Sequence, residues 1–444
     1  MSTRILLFFG LFAGAVVAHA GVLECNAEMK AKVLAAAKPE SKNLLLDCNL
    51  RLSRNDVVSK HLIFSGAAAS NLTLDCNGAT LRAVPGMDAG TRITVQSSGP
   101  VRQAAGDRWT PPQNIVIKNC VIDGAVRVRG MAVNGEDATL TASSRLPGHT
   151  ERVRANAPSG IVFSNNTIVG HGPIPIYFAP GVHDSMILDS KIGGHSTSVA
   201  IYLDAESGDN IIKGNRIDTE TTLPQTTTSK AKNLLFGLYK KAVGATNAPS
   251  LTGRELIAVD ASARNKIVGN EFSNLDNGGI FLYRNCGEGG NIRHQTPQGN
   301  VIVNNVFYYD KFDGRTPAIW LGSRNGNRSY CDLDRGYPLG SSSSDLDHAS
   351  DNFVAQNQFY KFEPSRIVRD DSGGNILLDN ARIERPIKRN AGCLDNRAAK
   401  PVLQADGVAI RQTINAGEPG CEMREWLCSD GLVSERRLPC VSSQ

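Results

Sequence analysis

Pairs of asparagines set five residues apart recur along this chain, with apolar residues at fixed positions around them. The motif reads NIIKGNRI from Asn210, NKIVGNEF from Asn265, NVIVNNVF from Asn300 and NFVAQNQF from Asn352. The step between motifs is 25 residues from Ser185 to Asn210 and 23 residues from Asn352 to Asn375. Short alternating segments of this kind predict strands rather than helices. Their recurrence predicts stacked coils in which each strand pairs with the equivalent strand of the next coil.

Equivalent residues of successive coils should form ladders about 4.8 Å apart. A buried asparagine ladder can satisfy the backbone groups of the turns through its side-chain amides. This pattern resembles the right-handed parallel β-helix superfamily, which includes the pectate-lyase-like enzymes and a carbohydrate-binding and sugar-hydrolase group. The resemblance covers about residues 44–385. It implies an all-β right-handed parallel β-helix, a solenoid. Apolar residues at helical spacing predict that a helical segment is inserted into it at 224–253.

The two ends of the stack require covers, because an exposed strand edge invites aggregation. The segment NAEMKAKVLAAAK from Asn26 has a capping residue and apolar residues at helical spacing, which predicts an N-terminal capping helix within 21–43. Residues 386–444 are rich in cysteine and are expected to form a small C-terminal appendage.

Residues 1–20 combine Arg4, an apolar run and the sequence AHA before Gly21. This pattern predicts a secretory signal cleaved after about Ala20. We therefore expect a periplasmic or secreted protein without a membrane span in the mature chain, because no later apolar run reaches the necessary length.

An exported protein can form disulfides, and the chain has ten cysteines. Cys76 and Cys120 occupy equivalent ladder positions, so they are predicted to pair if their coils are adjacent. Cys286 and Cys331 both follow corresponding strands, and their loops could be tied together in the same way. The net charge of +5 favours acidic partners slightly. We expect a monomer that binds no nucleic acid.

A strand precedes each asparagine motif, and side chains alternate between the two faces of a strand. Stacking these strands predicts two rows of side chains that point away from the core. The first row is Tyr177, Tyr202, Ala258, Phe281, Trp320 and Val368, and the second is Ala179, Asp204, Asp260, Tyr283, Gly322 and Asp370. Aromatic rings facing water suit the apolar faces of sugars. We therefore predict a groove for a linear, anionic polysaccharide, with binding by Tyr177, Tyr202, Phe281, Trp320 and Arg324. Alternatively, the long loops at 285–300 and 322–352 fold back and bury the rings.

Asp204 and Asp260 should carry like charges about 4.8 Å apart if their coils are adjacent. Three arrangements tolerate this. The pair could bind Ca²⁺ with Glu206 as a further ligand. It could serve as the two carboxyls of a glycoside hydrolase. Arg284 and Arg324 could instead neutralise both charges.

The resemblance implies the first arrangement, with Asp204, Glu206 and Asp260 holding Ca²⁺ against the carboxylate of a uronate sugar. It implies that Arg284 removes the C5 proton and that Tyr283 or His294 donates a proton. The expected activity is then cleavage of an acidic polysaccharide by β-elimination. The alternatives are a glycoside hydrolase using Asp204 and Asp260, and a non-catalytic carbohydrate-binding protein.

A second candidate site lies at a row of turn positions. His171 and His195 occupy equivalent places there, with Glu220 and Asp310 at the matching positions of later coils. Such a row could transfer protons or bind a metal.

Overall fold

The computed structural model describes residues 23–83, 90–101, 108–223, 253–285, 290–309, 316–322 and 348–384, together with the backbone of five strands between 393 and 439. Within these residues the chain winds through three parallel sheets, which we name sheets A, B and C. Each coil contributes one short strand to each sheet in turn. The predicted all-β, right-handed parallel β-helix is confirmed.

The strand bounds follow for the three sheets. Sheet A consists of Asn43–Leu45, His61–Ser65, Thr91–Gln96, Ala125–Arg129, Ile176–Phe178, Ile201–Leu203, Ile257–Asp260, Ile280–Tyr283, Ile319–Leu321 and Val368–Asp370. Sheet B consists of Leu50–Arg51, Thr73–Asp75, Val116–Lys118, Val162–Ser164, Met186–Leu188, Ile211–Lys213, Lys266–Val268, Val301–Val303, Phe353–Ala355 and Ile376–Leu378. Sheet C consists of Val57–Val58, Thr80–Arg82, Val121–Asp123, Thr167–Gly170, Lys191–Ser196, Arg216–Ile217, Glu220–Thr221, Glu271–Phe272, Val306–Phe307, Gln358–Tyr360 and Ala381–Ile383.

The other elements are short. The α-helices are α1 (Ala27–Leu34), α2 (Ala138–Ser144), α3 (His149–Ala155) and α4 (Pro364–Ile367), and 3₁₀ turns occupy Pro39–Ser41, Ala67–Ala69 and Leu275–Asn277. Antiparallel pairs join Ser98–Val101 to Arg108–Thr110 and Cys393–Asp395 to Val402–Gln404, and a three-stranded antiparallel sheet contains Ala409–Ile414, Glu422–Ser429 and Leu432–Pro439.

Asparagine ladders run along the stack as predicted. Asn270 shows the pattern: its Oδ1 accepts hydrogen bonds from the backbone N–H and from Nδ2 of Asn215, both at 2.9 Å. Its own Nδ2 donates to Ile212 O at 2.9 Å and to Asn305 Oδ1 at 3.0 Å. The ladders bind each turn to the next and satisfy buried polar groups that would otherwise destabilise the core.

The last coil corrects one predicted alignment. Ile319 pairs with Val368 and Trp320 with Arg369, so the sequence alignment that placed Val368 beside Trp320 was wrong by one residue. The reason is α4, which ends at Ile367. The Ile367 side chain is buried in the core, but the residue belongs to the helix and not to the strand that follows. Asp371, rather than Asp370, therefore follows Gly322 in the second outward row.

The N-terminal end agrees with the prediction of a capping helix. Asn26 caps α1 through a hydrogen bond from Met29 N to its Oδ1, and Val33 is buried in the core. The predicted Cys76–Cys120 disulfide is present. A second disulfide joins Cys25 to Cys48 and ties the start of α1 to the first coil, a pairing that the sequence analysis did not propose.

Several predicted features lie outside the described residues: the signal segment 1–20, the 224–253 insertion except for residue 253, the Cys286–Cys331 pairing, and the side chains of the 386–444 appendage. Among the described helices, none has the length and apolar character that crossing a bilayer requires.

An insertion that the sequence analysis did not anticipate occupies residues 130–158, between a strand of sheet A and the next strand of sheet B. It contains α2 and α3. Leu140 and Val153 of these helices pack with Trp109 and Met131 in a small apolar cluster outside the main core. The 130–158 insertion therefore lies against the hairpin formed by Ser98–Val101 and Arg108–Thr110.

Replacing Asn270 by alanine should lower the free energy of unfolding by about 2–5 kcal/mol, because it leaves buried backbone and amide groups of two neighbouring coils without partners. Asn380, which is half-exposed in the last coil, offers a matched control that should lose less than half as much. Urea unfolding of both variants measures the difference. Equal losses would show that the ladder does not act through buried polar groups.

Candidate functional site

The first outward row of sheet A is in register over seven strands. Its members are Arg127, Tyr177, Tyr202, Ala258, Phe281, Trp320 and Arg369. The predicted exposure of the rings was wrong in two cases, since Tyr177 and Phe281 are only 6% and 9% exposed. Tyr202 and Trp320 are half-buried. The rings pack edge to face against one another. The ring centroids of Tyr177 and Tyr202 are 5.8 Å apart, and those of Phe281 and Trp320 are 5.4 Å apart.

Asp204 and Asp260 lie on adjacent strands, as predicted, and both are buried. Arg293, which the sequence analysis did not propose, lies between them. Its Nη1 is 2.9 Å from Asp204 Oδ1 and 3.3 Å from Asp260 Oδ2. Of the three arrangements considered from the sequence, the structure shows neutralisation by arginine, but the arginine comes from the loop that follows Tyr283.

Tyrosine hydroxyls complete this buried network. Tyr177 donates to Asp204 Oδ2, and Tyr202 donates to Asp260 Oδ2 at 2.6 Å. Asn285 donates to Asp260 through its backbone N–H at 2.9 Å and through Nδ2 at 2.6 Å. Each carboxylate therefore has hydrogen-bond donors on both oxygens, as buried charges require.

Burial and neighbouring charge set the protonation states. Burial raises the pKa of the Asp204 carboxyl; Arg293 opposes this shift and Asp260 adds to it. Burial, followed by the negative charge of the adjacent aspartate, raises the pKa of Tyr177 and of Tyr202 well above its ordinary value. Both phenols are therefore neutral near pH 7 and are available as proton donors.

The three carboxylates expected to bind Ca²⁺ do not fit such a site. Arg293 lies where a cation between Asp204 and Asp260 would lie. The Glu206 carboxylate instead accepts hydrogen bonds from Thr150 Oγ1 at 2.5 Å and from His294 N at 2.7 Å. Within the described ranges, no three histidine, cysteine or acidic side chains are arranged to hold a metal.

Of the three other predicted catalytic residues, two are buried and His294 is half-buried. Arg284 and Tyr283 are buried, and the Tyr283 hydroxyl donates to Glu255 Oε1 at 2.8 Å. His294 Nε2 lies 2.6 Å from Ser144 O, and the ring centroids of His294 and His149 are 5.0 Å apart. The assignments of these residues as base and acid stay predictions without geometric support.

Arg324 and Asp310 lie outside the described residues. The second candidate site is partly assembled. His195 pairs with Glu220 on neighbouring strands of sheet C, whereas His171 Nε2 contacts Asp123 Oδ1 at 2.5 Å. No role follows from these contacts.

A cavity of about 270 Å³ opens beside the outward rows, at the first three strands that carry them. Its lining combines two arginines, two tyrosines and the buried Asp204–Arg293 pair with a stretch of the 130–158 insertion. The lining residues are Arg127, Arg129, Val133, Asn134, Gly135, Glu136, Pro173, Ile174, Tyr177, Tyr202, Asp204 and Arg293. Of the predicted site residues, Tyr177, Tyr202 and Asp204 therefore meet in one cavity.

Arg127 and Arg129 project from one strand but differ in their partners. Arg127 donates to Ile174 O at 2.5 Å and to Pro173 O at 2.7 Å, and burial lowers its pKa to about 10. Burial also lowers the pKa of Arg129. Across the described part of the chain, the side chain of Arg129 has neither a hydrogen-bond partner nor an ion-pair partner, and its Nε is buried.

The alternating AVRVR strand was the available signal for these two arginines. Its first residue is Ala125, and alternation places Arg127 and Arg129 on the outward face. The sequence analysis began the outward rows one coil later and so omitted both residues.

A scan against protein-family models finds no match, and no curated protein matches the chain. Among solved structures, an alginate lyase from Paenibacillus sp. str. FPU-7 is similar at 10% identity and a TM-score of 0.31, over 74% of this chain and 81% of that one. PfbA, a surface adhesin of Streptococcus pneumoniae, is similar at 11% identity and a TM-score of 0.35, over 87% and 89% of the two chains. An endo-xylogalacturonan hydrolase from Aspergillus tubingensis is similar at 11% identity and a TM-score of 0.34, over 76% and 86%. The class of this protein, a parallel β-helix, rests on its own three sheets.

Replacing Arg293 by methionine should destabilise the fold by about 3–5 kcal/mol near neutral pH, because two buried carboxylates lose their counter-ion. The folded-state pKa of Asp204 is already raised and would rise further without Arg293. A carboxyl whose pKa is higher in the folded than in the unfolded protein stabilises the fold at pH values below the unfolded-state pKa. This stabilisation is lost as the pH rises through the folded-state pKa. The variant should therefore be closer to wild type at about pH 5 than at about pH 7.

Urea midpoints at the two pH values measure the effect. Arg369→Met removes an exposed arginine from the same row and should change stability little at either pH. A deficit of Arg293→Met that grows on acidification would contradict the assigned charges.

Proposed function

We propose that this chain is an exported, polysaccharide-active β-helix protein whose cavity binds an anionic sugar unit, and that it cleaves a uronate polymer by β-elimination. The observation that carries the proposal is the side chain of Arg129, a half-buried cation with a buried Nε and no partner among the described residues, in the wall of a cavity. A buried charge is expected to be paired. A ligand carboxylate would supply the missing partner and could bind the planar guanidinium through two hydrogen bonds.

The rest of the cavity suits a sugar. Pro173, Ile174 and the half-buried ring of Tyr202 provide apolar surface. Glu136 and Asn134 provide polar groups in the same lining. Sugar-sized ligands are held by this combination of apolar lining with a few polar groups. The cavity volume of about 270 Å³ lies just below the usual range for ligand pockets, roughly 300–1000 Å³.

In the proposed reaction, Arg129 neutralises the carboxylate of the uronate sugar and so makes its C5 proton more acidic. Asp204, whose pKa is raised by burial, accepts that proton. The electron pair of the C–H bond forms a C4=C5 double bond as the C4–O bond breaks. Tyr202, a neutral phenol, donates a proton to the leaving oxygen. Arg293 does not touch the sugar in this scheme; it positions Asp204.

A second candidate function is glycoside hydrolysis, because Glu136 and Asp204 place two carboxyls in one cavity. The pair expected from the sequence, Asp204 and Asp260, is less suited to this role, since both contact Arg293 and Asp260 does not line the cavity. Incubation with a panel of uronate and neutral polymers separates the functions. Ultraviolet absorbance from an unsaturated product supports the lyase. New reducing ends without that absorbance support the hydrolase, and binding without either supports a carbohydrate-binding protein.

Export is supported by the two disulfides, which form and persist in oxidising compartments. The proposed location is the periplasm or the exterior of the cell.

Arg129→Gln should weaken binding of uronate oligosaccharides by roughly 10- to 100-fold, because a charge-assisted hydrogen bond is worth about 1.5–3 kcal/mol. Binding of a neutral oligosaccharide should change little. Isothermal titration calorimetry measures both. Arg216→Gln, which removes an exposed arginine from sheet C, is the control and should bind as wild type does. Unchanged uronate affinity in Arg129→Gln would remove the basis of the proposal.

A further inference from the structure

The cavity occupies only a short part of the outward row. It is lined by strands Ala125–Arg129, Ile176–Phe178 and Ile201–Leu203 of sheet A. Three strands span about 10 Å along the stack, against roughly 40 Å for the ten strands of the sheet. A groove for a polymer lying along the stack would need an open row over most of that length.

The row is closed on both sides of the cavity. Thr94, the partner of Arg127 on the preceding strand, is 1% exposed, and its Oγ1 is 2.8 Å from His61 Nε2. Ala258, the partner of Tyr202 on the following strand, is 0% exposed beneath the neighbouring rings. A sugar chain therefore cannot continue along this row in either direction without displacing buried side chains.

The 130–158 insertion closes the cavity from a third side. Residues 133–136 line it directly. The backbone of this stretch lies so close to the buried acid that a Cβ at Gly135 would lie 2.9 Å from each carboxylate oxygen of Asp204. Asn291 Nδ2 donates to Gly135 O at 2.7 Å and holds the stretch in place.

The insertion is also attached to the coils at several points. Thr150 donates to the buried Glu206 carboxylate at 2.5 Å. Arg154 donates to Asp209, which also pairs with Arg264. Ser144 Oγ accepts from Ile292 N at 3.0 Å. These contacts join the insertion to two different segments, the turn after Leu203 and the loop that contains Ile292, so it forms a fixed boundary of the cavity.

We infer that the cavity is a chain-end pocket: it takes the terminal unit of a uronate polymer, with Arg129 on the terminal carboxylate, and the protein acts from that end. This inference rests on the proposed function. It replaces the open groove that the sequence predicted with a pocket closed by Thr94, Ala258 and the 130–158 insertion. The 130–158 insertion is then the specificity-determining segment, because it closes one side of the cavity. The end of a sugar chain can enter the closed cavity, whereas the middle of a chain cannot.

The number of protein molecules bound per sugar chain tests the inference independently of catalysis. The probes are short and long oligomers of galacturonate and of mannuronate, titrated into the full-length protein in a calorimeter. A chain-end pocket predicts about one protein per chain at both lengths. Molar affinity should also be similar at both lengths, since each chain offers one such end.

A stoichiometry that increases with chain length would overturn the chain-end inference while leaving anionic sugar binding intact. Absence of binding by every uronate probe would overturn the proposed function and the inference together. Reducing the aldehyde end of each oligomer to an alditol then identifies the end that enters. The proposed elimination breaks the C4–O bond of the bound unit, and of the two terminal units only the one at the reducing end carries another sugar on that oxygen. We therefore expect the alditol to lose affinity, and unchanged affinity would contradict elimination at a terminal unit.

Product analysis provides a second readout. If the polymer is cleaved, small products should accumulate while the viscosity of the solution falls slowly. A rapid fall in viscosity with products of intermediate length would contradict end-on action.

Discussion

In-register pairing of parallel strands is the constraint on which the rest of this structure depends. The asparagine ladders hold each turn to the next, so residues far apart in sequence lie side by side on one face. Tyr202 and Ala258 are neighbours for this reason, although the segment between them is long. Because the ladders lie at turns between sheets, other connections can expand without breaking the stack. The 130–158 insertion expands in this way and supplies one side of the cavity.

Arg293, which is buried, and Arg129, which is half-buried, differ in how their charge is compensated. Arg293 contacts both Asp204 and Asp260, and this pairing makes it a structural and positioning group. Arg129 has no such partner within the described residues, and it faces a cavity. Since burying an unpaired charge destabilises a fold, the second arrangement is expected at a site whose partner arrives with a ligand. This contrast is the physical basis for proposing an anionic substrate.

The sequence predicted what depends on the repeat. Period and alternation were sufficient for the inward rows, the asparagine ladders, the adjacency of Asp204 and Asp260, and the Cys76–Cys120 disulfide. Prediction was incomplete where a loop returns to the sheet. The sequence analysis considered that the 285–300 loop folds back, but the repeat does not extend into that loop and so does not indicate that Arg293 reaches the two aspartates. The one-residue error in the alignment of the last coil has a local cause, because a short helix ending at Ile367 precedes the strand.

Binding of a uronate at Arg129 is the central claim, and a crystal structure of the protein with a bound uronate oligomer tests it most directly. The account predicts a sugar carboxylate within hydrogen-bond distance of the Arg129 guanidinium, with the terminal ring between Tyr202 and residues 133–136. A sugar bound elsewhere, with Arg129 still unpaired or turned toward a side chain of the protein, would contradict it.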